Sequence, residues 1–527
     1  MKKILCLALV LITALSLFSC KAEKQTEKTG IDISKYTIVH PDSCSGTIKT
    51  AVKSVQKQIS TSGGCELEIK TDSEQSDKAS YEILVGKTNR ADSQEVINTL
   101  KDQGTKHSYA VRFTDKSIVI AGSDDESTLL AIKHFISELE VRGCSGTKLN
   151  FDKDYCHIDG LNGDIIAFSN LSVLTYELTS TIYGPTKGNR SVELTYARIL
   201  MLEHNGEKNG TLLATAEGLD EDCYIIHQST DGGKSWSILS RVKAGKSGGT
   251  ANWQPMIYEL PMQSCGMPEG TLLLAGCLRN NTSNMFIWRS YDQGMTWEEM
   301  GNVAASNGNG GLWEPFLICD ENGQLVCFYS SENDSAHSQK LVCKVSKDGK
   351  KWGKEIDVVA SSNSGHRPGM ITVTRMGNGQ YLATYEMVGH DGTNYYKISD
   401  SLTEWKNPSD IGTQIKTPDG KTSHGTPYCT WSSAGGSKGT LIMSGKFGPG
   451  GQDDGLFLSF NYGKTWNYVE NPMPYTNTEG TSAHRFGYSP CFYAASDGTI
   501  YYVNCVDTEA KDISQKADMK LTVIKIR

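Results

Sequence analysis

The chain has 527 residues, and 60 Asp and Glu against 52 Lys and Arg give it a formal net charge of −8. This length exceeds that of one ordinary domain and is enough to bury a large core. Because an acidic chain repels nucleic acid and other anionic polymers, the charge argues against both as the main partner.

The first twenty residues have the pattern of a bacterial lipoprotein signal peptide. Lys2 and Lys3 precede an apolar run that ends in Leu17-Phe18-Ser19-Cys20. We therefore predict that residues 1–20 are the signal peptide with a lipidated Cys20, and that residues 21–30 are a polar tether. The alternative is an ordinary secretory signal in which the cysteine is coincidental.

This N-terminus predicts an exported bacterial lipoprotein that is anchored in a membrane and displayed at the cell surface. No other run in the sequence is long and apolar enough to span a bilayer. We expect a monomer that contacts the membrane through its lipid only.

Residues 31–160 are predicted to form a small α+β accessory domain, because helical and strand periods alternate along them. The predicted elements are helices over 47–60, 93–101 and 128–141, a strand over 81–86, and a hairpin of 109–113 with 118–122. The run from Tyr81 to Arg90 resembles the small domain that precedes the catalytic domain in several glycoside hydrolase families. It carries no catalytic motif, so a spacer or docking role is favoured.

Residues 161–527 repeat one pattern six times: a short apolar strand, a second strand led by glycine, and in five copies a hairpin that ends in tryptophan. The hairpin tryptophans, spaced 61, 55, 53 and 61 residues apart, are Trp236, Trp297, Trp352, Trp405 and Trp466. A period of this size built from strand patterns predicts a β-propeller with one four-stranded blade per copy. The sixth copy lacks the hairpin, so we expect a strand near residues 165–180 to close the ring with the C-terminal strands.

The first hairpin, Ser229-Thr230-Asp231-Gly232-Gly233-Lys234-Ser235-Trp236, has the composition of a tight turn. Asp231 is placed to accept backbone N–H bonds, the glycines supply positive φ, and Trp236 packs between neighbouring blades. The motif resembles the Asp-boxes, or BNR repeats, of sialidase-like propellers. That resemblance implies an all-β, six-bladed, sialidase-like propeller preceded by the α+β domain.

Thirteen of the fifteen cysteines remain once Cys6 and Cys20 are assigned to the signal peptide. Most of them fall in apolar strands, where a free thiol behaves as a small buried hydrophobe. One disulfide, Cys44 with Cys65, is conceivable in the first domain. The spacing of His and Cys matches no zinc motif, so we expect neither a metal nor another cofactor.

Two sets of polar residues are predicted to surround the propeller axis. Residues that precede proline at the start of the first strands are Gln254, Glu314, Arg367 and Thr426. Counting seven residues from the glycine of each second strand gives a second-strand ring: Glu217, Cys277, Ser330, Glu386, Lys446 and Cys505. Glu314 and Glu386 come from adjacent blades, and paired carboxylates facing a sugar-sized cavity are what glycoside hydrolysis requires.

The residues around this pair are similar to glycoside hydrolase family 93. The similarity is carried by Trp313-Glu314-Pro315-Phe316, Phe328 to Glu332, Arg367 to Met370 and Tyr385-Glu386, and it covers residues 190–505. It implies a six-bladed exo-α-1,5-L-arabinanase that releases arabinobiose with retention of configuration. It also implies that Glu314 and Glu386 are the catalytic pair, without assigning which one is the nucleophile.

The substrate-binding candidates are polar and aromatic residues of the propeller openings and of the second-strand ring. They are Arg198, Glu217, Trp253, Trp313, Arg367, His424, Tyr428, His484, Arg485 and Tyr488. The expected partner is an oligosaccharide or polysaccharide.

Two other functions compete with the arabinanase-like hypothesis. A sialidase needs three arginines around the substrate carboxylate, for which Arg198, Arg367 and Arg485 are candidates. If all three converge the sialidase is favoured, and if only one or two face the funnel a neutral sugar is favoured. A non-catalytic glycan-binding propeller would use Trp253, Trp313, Trp431 and Tyr428 as binding surfaces.

Overall fold

The computed structural model describes residues 30–74, 81–102, 105–161, 164–167, 173–184, 194–218, 221–245, 248–280, 282–308, 310–436, 438–446, 455–473, 487–506 and 517–526. Within these ranges, no helix is both long and apolar enough to cross a membrane. Cys20 lies outside the described residues.

The N-terminal part of the chain forms an α+β sandwich. Its elements are β1 (Ile31–Asp32), β2 (Tyr36–His40), α1 (Gly46–Gly63), β3 (Ile69–Thr71), β4 (Tyr81–Val85), α2 (Ala91–Lys101), β5 (His107–Phe113), β6 (Ser117–Gly122), α3 (Asp125–Arg142), β7 (Cys144–Ser145), β8 (Lys148–Leu149) and β9 (Cys156–Leu161). The main sheet has the order β3-β2-β4-β6-β5-β9, and β1, β8 and β7 form a small second sheet.

Alternation along the central strands explains why helices cover both faces of this sheet. Ile83 packs with α1 and α3 in one apolar cluster, whereas the next residue, Leu84, packs with α2 in another. The three predicted helices and the β5–β6 hairpin are confirmed, with ends that differ by at most three residues.

From residue 164 onward, the described residues form six antiparallel sheets, one for each copy of the repeat. The strands of the first five are β12 (Leu194–Met201), β13 (Leu212–Gly218), β14 (Cys223–Ser229) and β15 (Ser237–Lys243); β16 (Thr250–Glu259), β17 (Leu272–Asn280), β18 (Thr282–Ser290) and β19 (Glu298–Ala304); β20 (Leu312–Cys319), β21 (Leu325–Ser331), β22 (Lys340–Ser346) and β23 (Ile356–Val359); β24 (Arg367–Arg375), β25 (Tyr381–Val388), β26 (Asn394–Ser399) and β27 (Thr413–Gln414); and β28 (Tyr428–Ser432), β29 (Thr440–Ser444), β30 (Leu456–Ser459) and β31 (Asn467–Val469). Each of these sheets follows chain order, as the blades of a propeller do.

The sixth sheet joins the two ends of the propeller. It combines β10 (Asp164–Ala167) and β11 (Val173–Tyr183) with β32 (Cys491–Ala494), β33 (Thr499–Val506) and β34 (Asp518–Ile526). Strand β11 pairs antiparallel with β34, which confirms the predicted closure of the ring. The sheet has five strands instead of four, because β10 folds back on β11 at its edge.

The turn predicted from the hairpin motif is also observed. Asp231 accepts hydrogen bonds from the backbone N–H of Ser235 at 3.0 Å and from its hydroxyl at 2.6 Å. The Trp236 indole donates to the Gly233 carbonyl at 3.0 Å and to the Ser180 hydroxyl of the adjacent sheet at 3.4 Å. The motif therefore closes its own hairpin and attaches it to the neighbouring blade.

The suggested disulfide between Cys44 and Cys65 is wrong. All thirteen cysteines in the described ranges are free thiols. The Cys44 sulfur lies 3.4 Å from His40 Nδ1, whereas Cys65 is a neighbour of Cys144.

Candidate active site

Each blade places one non-glycine residue in the left-handed region of backbone space where its innermost strand begins. This bulge ring, with φ between 37° and 61°, consists of Tyr196, Gln254, Glu314, Met370, Thr426 and Ser489. In the first four blades the register of the first strand against the second shifts at this point. Such a backbone costs about 1 kcal/mol or more per residue, so its repetition in all six blades indicates that the bulge positions functional groups.

The fourth blade departs from the alignment by proline that the sequence suggested. The bulge residue there is Met370, not Arg367, because Arg367 lies three residues earlier at the start of β24. Pro368 is therefore not equivalent to the prolines that follow Gln254 and Glu314.

The second-strand ring is consistent with the pairing of the strands. In the first four blades its members lie opposite the residue that precedes the bulge: Thr195 faces Glu217, Trp253 faces Cys277, Trp313 faces Ser330, and Gly369 faces Glu386. Counting from glycine therefore identified equivalent positions correctly, including that of Glu386.

Backbone N–H groups of the bulge ring fix the side chains of the preceding blade. The N–H of Gln254 donates to Glu217 Oε2 at 3.0 Å, and that of Glu314 donates to Gln254 Oε1 at 3.0 Å. The N–H of Thr426 donates to Glu386 Oε2 at 2.7 Å. The strained backbone thus holds each carboxylate at a defined place on the axis.

Glu314 and Glu386 face one cavity of about 600 Å³, which we call the site cavity. Its lining residues are Tyr196, Glu217, Trp253, Gln254, Trp313, Glu314, Glu332, Gln339, Arg367, Glu386, Val388, Lys446 and Tyr488. This volume lies within the range of small-molecule sites.

The Glu314 carboxyl is bonded unevenly at its two oxygens. Oε2 accepts a short hydrogen bond of 2.7 Å from the Ser330 hydroxyl and a longer one of 3.4 Å from the Met370 N–H. Oε1 has only long contacts, 3.3 Å to the Tyr196 hydroxyl and 3.5 Å to Gln254 Nε2. Burial, together with the charge of Glu386, raises the pKa of Glu314 to about 7, although Ser330 opposes the shift.

Glu386 lies in a different environment. Burial also raises its pKa, but the Thr426 N–H and the positive charge of Lys446 oppose this shift. Gly369 leaves space beside the carboxylate, since a Cβ there would lie 3.3 Å from Glu386 Oε1. Burial therefore raises the pKa of both carboxyls, and at Glu386 a backbone N–H and a lysine oppose the rise.

Five of the predicted substrate-binding residues line the site cavity: Glu217, Trp253, Trp313, Arg367 and Tyr488. The rings of Trp253 and Trp313 form an adjacent pair with centroids 5.8 Å apart. His484 and Arg485 lie outside the described residues.

Arg198 and Tyr428 are not among the lining residues. The Arg198 guanidinium is buried and donates to the Ala197 carbonyl at 2.7 Å and to the Ser489 hydroxyl at 3.0 Å. It also lies over the Tyr428 ring at 5.5 Å. These contacts tie the first blade to the sixth, so Arg198 has a structural role here.

His424 also lies away from the cavity lining. It forms a β-bridge with Thr393, and its ring contacts the Thr422 hydroxyl at 3.2 Å. Burial lowers its pKa, as expected for a neutral histidine in a packed position.

Of the three arginines that a sialidase would need, Arg367 alone lines the cavity among those the structure describes. Its guanidinium pairs with Glu332 and donates to Gln339 Oε1 and to the Ser338 hydroxyl, both at 2.9 Å. The three-arginine arrangement is therefore not assembled from Arg198 and Arg367, which favours a neutral sugar.

Several lining residues were absent from the predicted binding set: Tyr196, Gln254, Glu332, Gln339, Val388 and Lys446. Gln254 and Lys446 already belonged to the two polar sets read from the repeat, so their repeat position was the signal. Glu332 and Gln339 follow the second strand of the third blade, where no repeat position marks them.

Comparison with known proteins points to one group of enzymes. No family model matches the chain, and no curated protein matches it either. Among solved structures, the family 93 α-L-arabinofuranosidase of Fusarium graminearum in complex with arabinobiose is similar at 27% identity, with a TM-score of 0.57, over 66% of this chain and 98% of that one. The α-L-arabinanase of Penicillium chrysogenum complexed with arabinobiose gives the same values.

A third similar structure is the Fusarium graminearum α-L-arabinofuranosidase with an iminosugar inhibitor, at 28% identity and a TM-score of 0.57, over 66% of this chain and 97% of that one. These likenesses extend over 66% of the chain and agree with a sialidase-like propeller. They support a glycosidase that acts on a saccharide.

Proposed function

We propose that the protein is an exo-acting, retaining glycoside hydrolase that cleaves α-1,5-L-arabinan or a related neutral polysaccharide. One observation carries the proposal: two carboxyls of adjacent blades share the site cavity, and only Glu314 has its pKa raised to about 7. Retaining hydrolysis needs such a pair, one protonated and one ionised.

Glu314 is proposed as the general acid and base. Because Ser330 binds Oε2 at short range, Oε1 is the oxygen left to carry the proton and deliver it to the leaving glycosidic oxygen. After departure of the leaving group, the same carboxylate takes a proton from the water that attacks the intermediate.

Glu386 is proposed as the nucleophile. The Thr426 N–H holds Oε2, and the space beside Gly369 leaves Oε1 available to attack the anomeric carbon. Attack forms the bond from Oε1 to the anomeric carbon while the glycosidic bond breaks, which gives a covalent glycosyl-enzyme. Retention predicts that the carboxyls of Glu314 and Glu386 lie roughly 5–5.5 Å apart, whereas inversion would need about 6.5–9.5 Å.

The substrate class is supported by the similar structures and by the cavity walls. Two of those structures hold arabinobiose, and this cavity has the tryptophan pair Trp253 and Trp313, whose faces suit the apolar side of a sugar ring. We also propose that Cys20 is lipidated and holds the enzyme at the cell surface. Labelling with a fatty-acid analogue, lost in Cys20→Ala, tests this location.

Hydrolysis of linear arabinan by residues 21–527 tests the activity. We expect arabinobiose as the first product, with the anomeric configuration of the substrate in early NMR spectra. Release of a mixture of long oligosaccharides would contradict exo action, and an inverted product would contradict the assignment of Glu386. Sialyllactose serves as the matched negative substrate.

A further inference from the structure

We infer that Glu332 is a specificity-determining residue that makes the site cavity reject sugars bearing a carboxylate. The inference deepens the proposed glycosidase function and rests on the site cavity being its substrate site. Arg367 is the cation that would bind the carboxylate of an acidic sugar, but its guanidinium already forms an ion pair with Glu332. Both residues line the same cavity.

The Arg367 guanidinium is fully engaged at its two terminal nitrogens. One donates to the Ser338 hydroxyl at 2.9 Å and to the Ser338 carbonyl at 3.1 Å. The other pairs with Glu332 Oε1 and donates to Gln339 Oε1 at 2.9 Å. Because these are the nitrogens that would grip a carboxylate in a forked pair, a substrate carboxylate would have to displace Glu332.

Glu332 is built into the wall and cannot leave easily. Its Oε2 accepts the Gly311 N–H at 2.7 Å, and the Trp313 indole also donates to the carboxylate. Although burial alone would raise its pKa, hydrogen bonds from Arg367 and Gly311 keep the pKa of Glu332 below its usual value. The group is therefore an anion at neutral pH.

Two glycines bring the chain close enough to make this wall. A Cβ on Gly310 would overlap the Glu332 side chain, and one on Gly311 would overlap the Trp313 ring. The Gly310-Gly311 pair thus allows Glu332 and Trp313 to share one tightly packed corner. In this corner the Trp313 ring and the Glu332 carboxylate lie side by side in the cavity wall.

The remaining charges of the cavity are unfavourable for an anion. Once Arg367 and Glu332 cancel, and with the proposed acid Glu314 protonated, the described lining residues leave Glu217 and Glu386 against Lys446. The hydroxyls of a neutral sugar can hydrogen-bond to these side chains, whereas the carboxylate of an acidic sugar is repelled by their negative charge. Selectivity in this cavity therefore comes from a repulsive element as well as from contacts.

The test is a binding measurement in the Glu386→Gln chain, so that hydrolysis does not interfere. The probes are α-1,4-galactobiose and α-1,4-digalacturonate, which differ only in the oxidation of their C6 groups, and titration calorimetry gives both Kd values. We expect the neutral probe to bind roughly tenfold more tightly or better. Adding Glu332→Gln, which keeps the shape and removes the charge, should shift the ratio toward the acid by about tenfold or more.

Arg367→Met provides the matched control. In the Glu332→Gln background it should abolish the gain in affinity for digalacturonate. In the Glu386→Gln parent it leaves the Glu332 anion without its cation, so acid binding should weaken further. The gain in affinity for digalacturonate should also decrease as salt is added. An acid that binds the parent as tightly as the neutral probe, an unchanged ratio in Glu332→Gln, or acid binding that does not weaken in the Arg367→Met parent would each overturn the inference.

Failure of the proposed function gives a different result. If the wild-type chain does not cleave arabinan, that substrate is wrong, but the ratio between the matched probes still tests the charge preference. If Glu332→Gln does not fold, the parent ratio and the Arg367→Met control still decide the inference.

Discussion

The inner strands of the first four blades, β12, β16, β20 and β24, line two cavities in succession, and the two cavities differ in chemistry. Their first residues, such as Tyr196, Gln254 and Glu314, border the site cavity of about 600 Å³. Residues further along the same strands, such as Met256 and Phe316, border a second cavity of about 280 Å³. On β20, Glu314 with its raised pKa borders the first cavity, and Phe316, two positions later, borders the second.

A carboxylate is present at each cavity, and the two carboxylates differ in how strongly their oxygens are hydrogen-bonded. Glu259 at the second cavity is 8% exposed and accepts the N–H groups of Glu203 and His204 at 2.8 and 3.0 Å, and the Asn205 amide at 2.6 Å. Glu314 has one short donor and three longer contacts. The proposed acid Glu314 therefore has a single strong donor, whereas three strong donors hold Glu259.

The largest effect should come from removing the two site carboxylates. Glu386→Gln should lower kcat on arabinan by at least about 10³-fold, and Glu314→Gln by about 10²–10⁴-fold. With a nitrophenyl arabinobioside, whose leaving group needs no proton, Glu314→Gln should recover much of the loss and Glu386→Gln should not. Steady-state kinetics on both substrates measure this.

Glu259→Gln is the matched control from the second cavity. It should lower thermal stability, because hydrogen bonds to a charged acceptor weaken, while kcat changes little. A loss of kcat as large as that of Glu314→Gln would break the distinction between the two cavities.

Arg198→Met should give the next largest effect, on stability. The guanidinium links the first and sixth blades through Ser489, and its loss leaves buried acceptors unpaired. Scanning calorimetry should show a fall in the midpoint of roughly 5–10 °C. If the melting point held while sugar binding vanished, Arg198 would be a substrate ligand, as the sialidase hypothesis requires.

The raised pKa of Glu314 predicts how stability depends on pH. A carboxyl whose pKa is higher in the folded state contributes stability at low pH, and this is lost as pH rises from about 4.5 through about 7. Wild type should therefore lose of order 1–3 kcal/mol more than Glu314→Gln between pH 5 and pH 8. Urea unfolding of both proteins at the two pH values checks the sign, and a parallel decline would contradict it.

The smallest effect concerns Lys446. Its positive charge lowers the pKa of Glu386, so Lys446→Met should move the acidic limb of the kcat/KM profile upward by about half a unit to one unit. Lys446→Arg keeps the charge and should leave the limb in place. An acidic limb that did not move in Lys446→Met would separate Lys446 from the ionisation of Glu386.

The repeat pattern predicted much of the fold and part of the site. Glycine-led strands and tryptophan hairpins recur at a fixed period because each blade repeats the same turns, so the six blades and the position of Glu386 could be counted. Glu314 followed from its motif and its place before proline. Spacing in the sequence reflects strand register, and register determines which side chains meet at the axis.

What the sequence did not predict depends on local backbone geometry. In the sequence pattern, Pro368 has the same place in the repeat as the prolines of the neighbouring blades. The bulge of its blade nevertheless falls at Met370, which no feature of the sequence marks. The sequence suggested Arg198 as a substrate ligand. Its guanidinium instead bonds to Ser489, which is nearly three hundred residues away in the chain. The pairing of Glu332 with Arg367 likewise depends on how two blades meet.

The closure of the ring has a consequence for when activity can arise during synthesis. Strand β11 pairs with β34 at the C-terminus, and the Tyr196 N–H donates to the Tyr488 carbonyl of the last blade at 3.1 Å. Tyr196 in turn contacts Glu314, so the acid is supported by a residue whose own position depends on the end of the chain. A growing polypeptide contains Glu314 and Glu386 long before it contains β34, so the ring around the cavity that they line is complete only after β34 has been made.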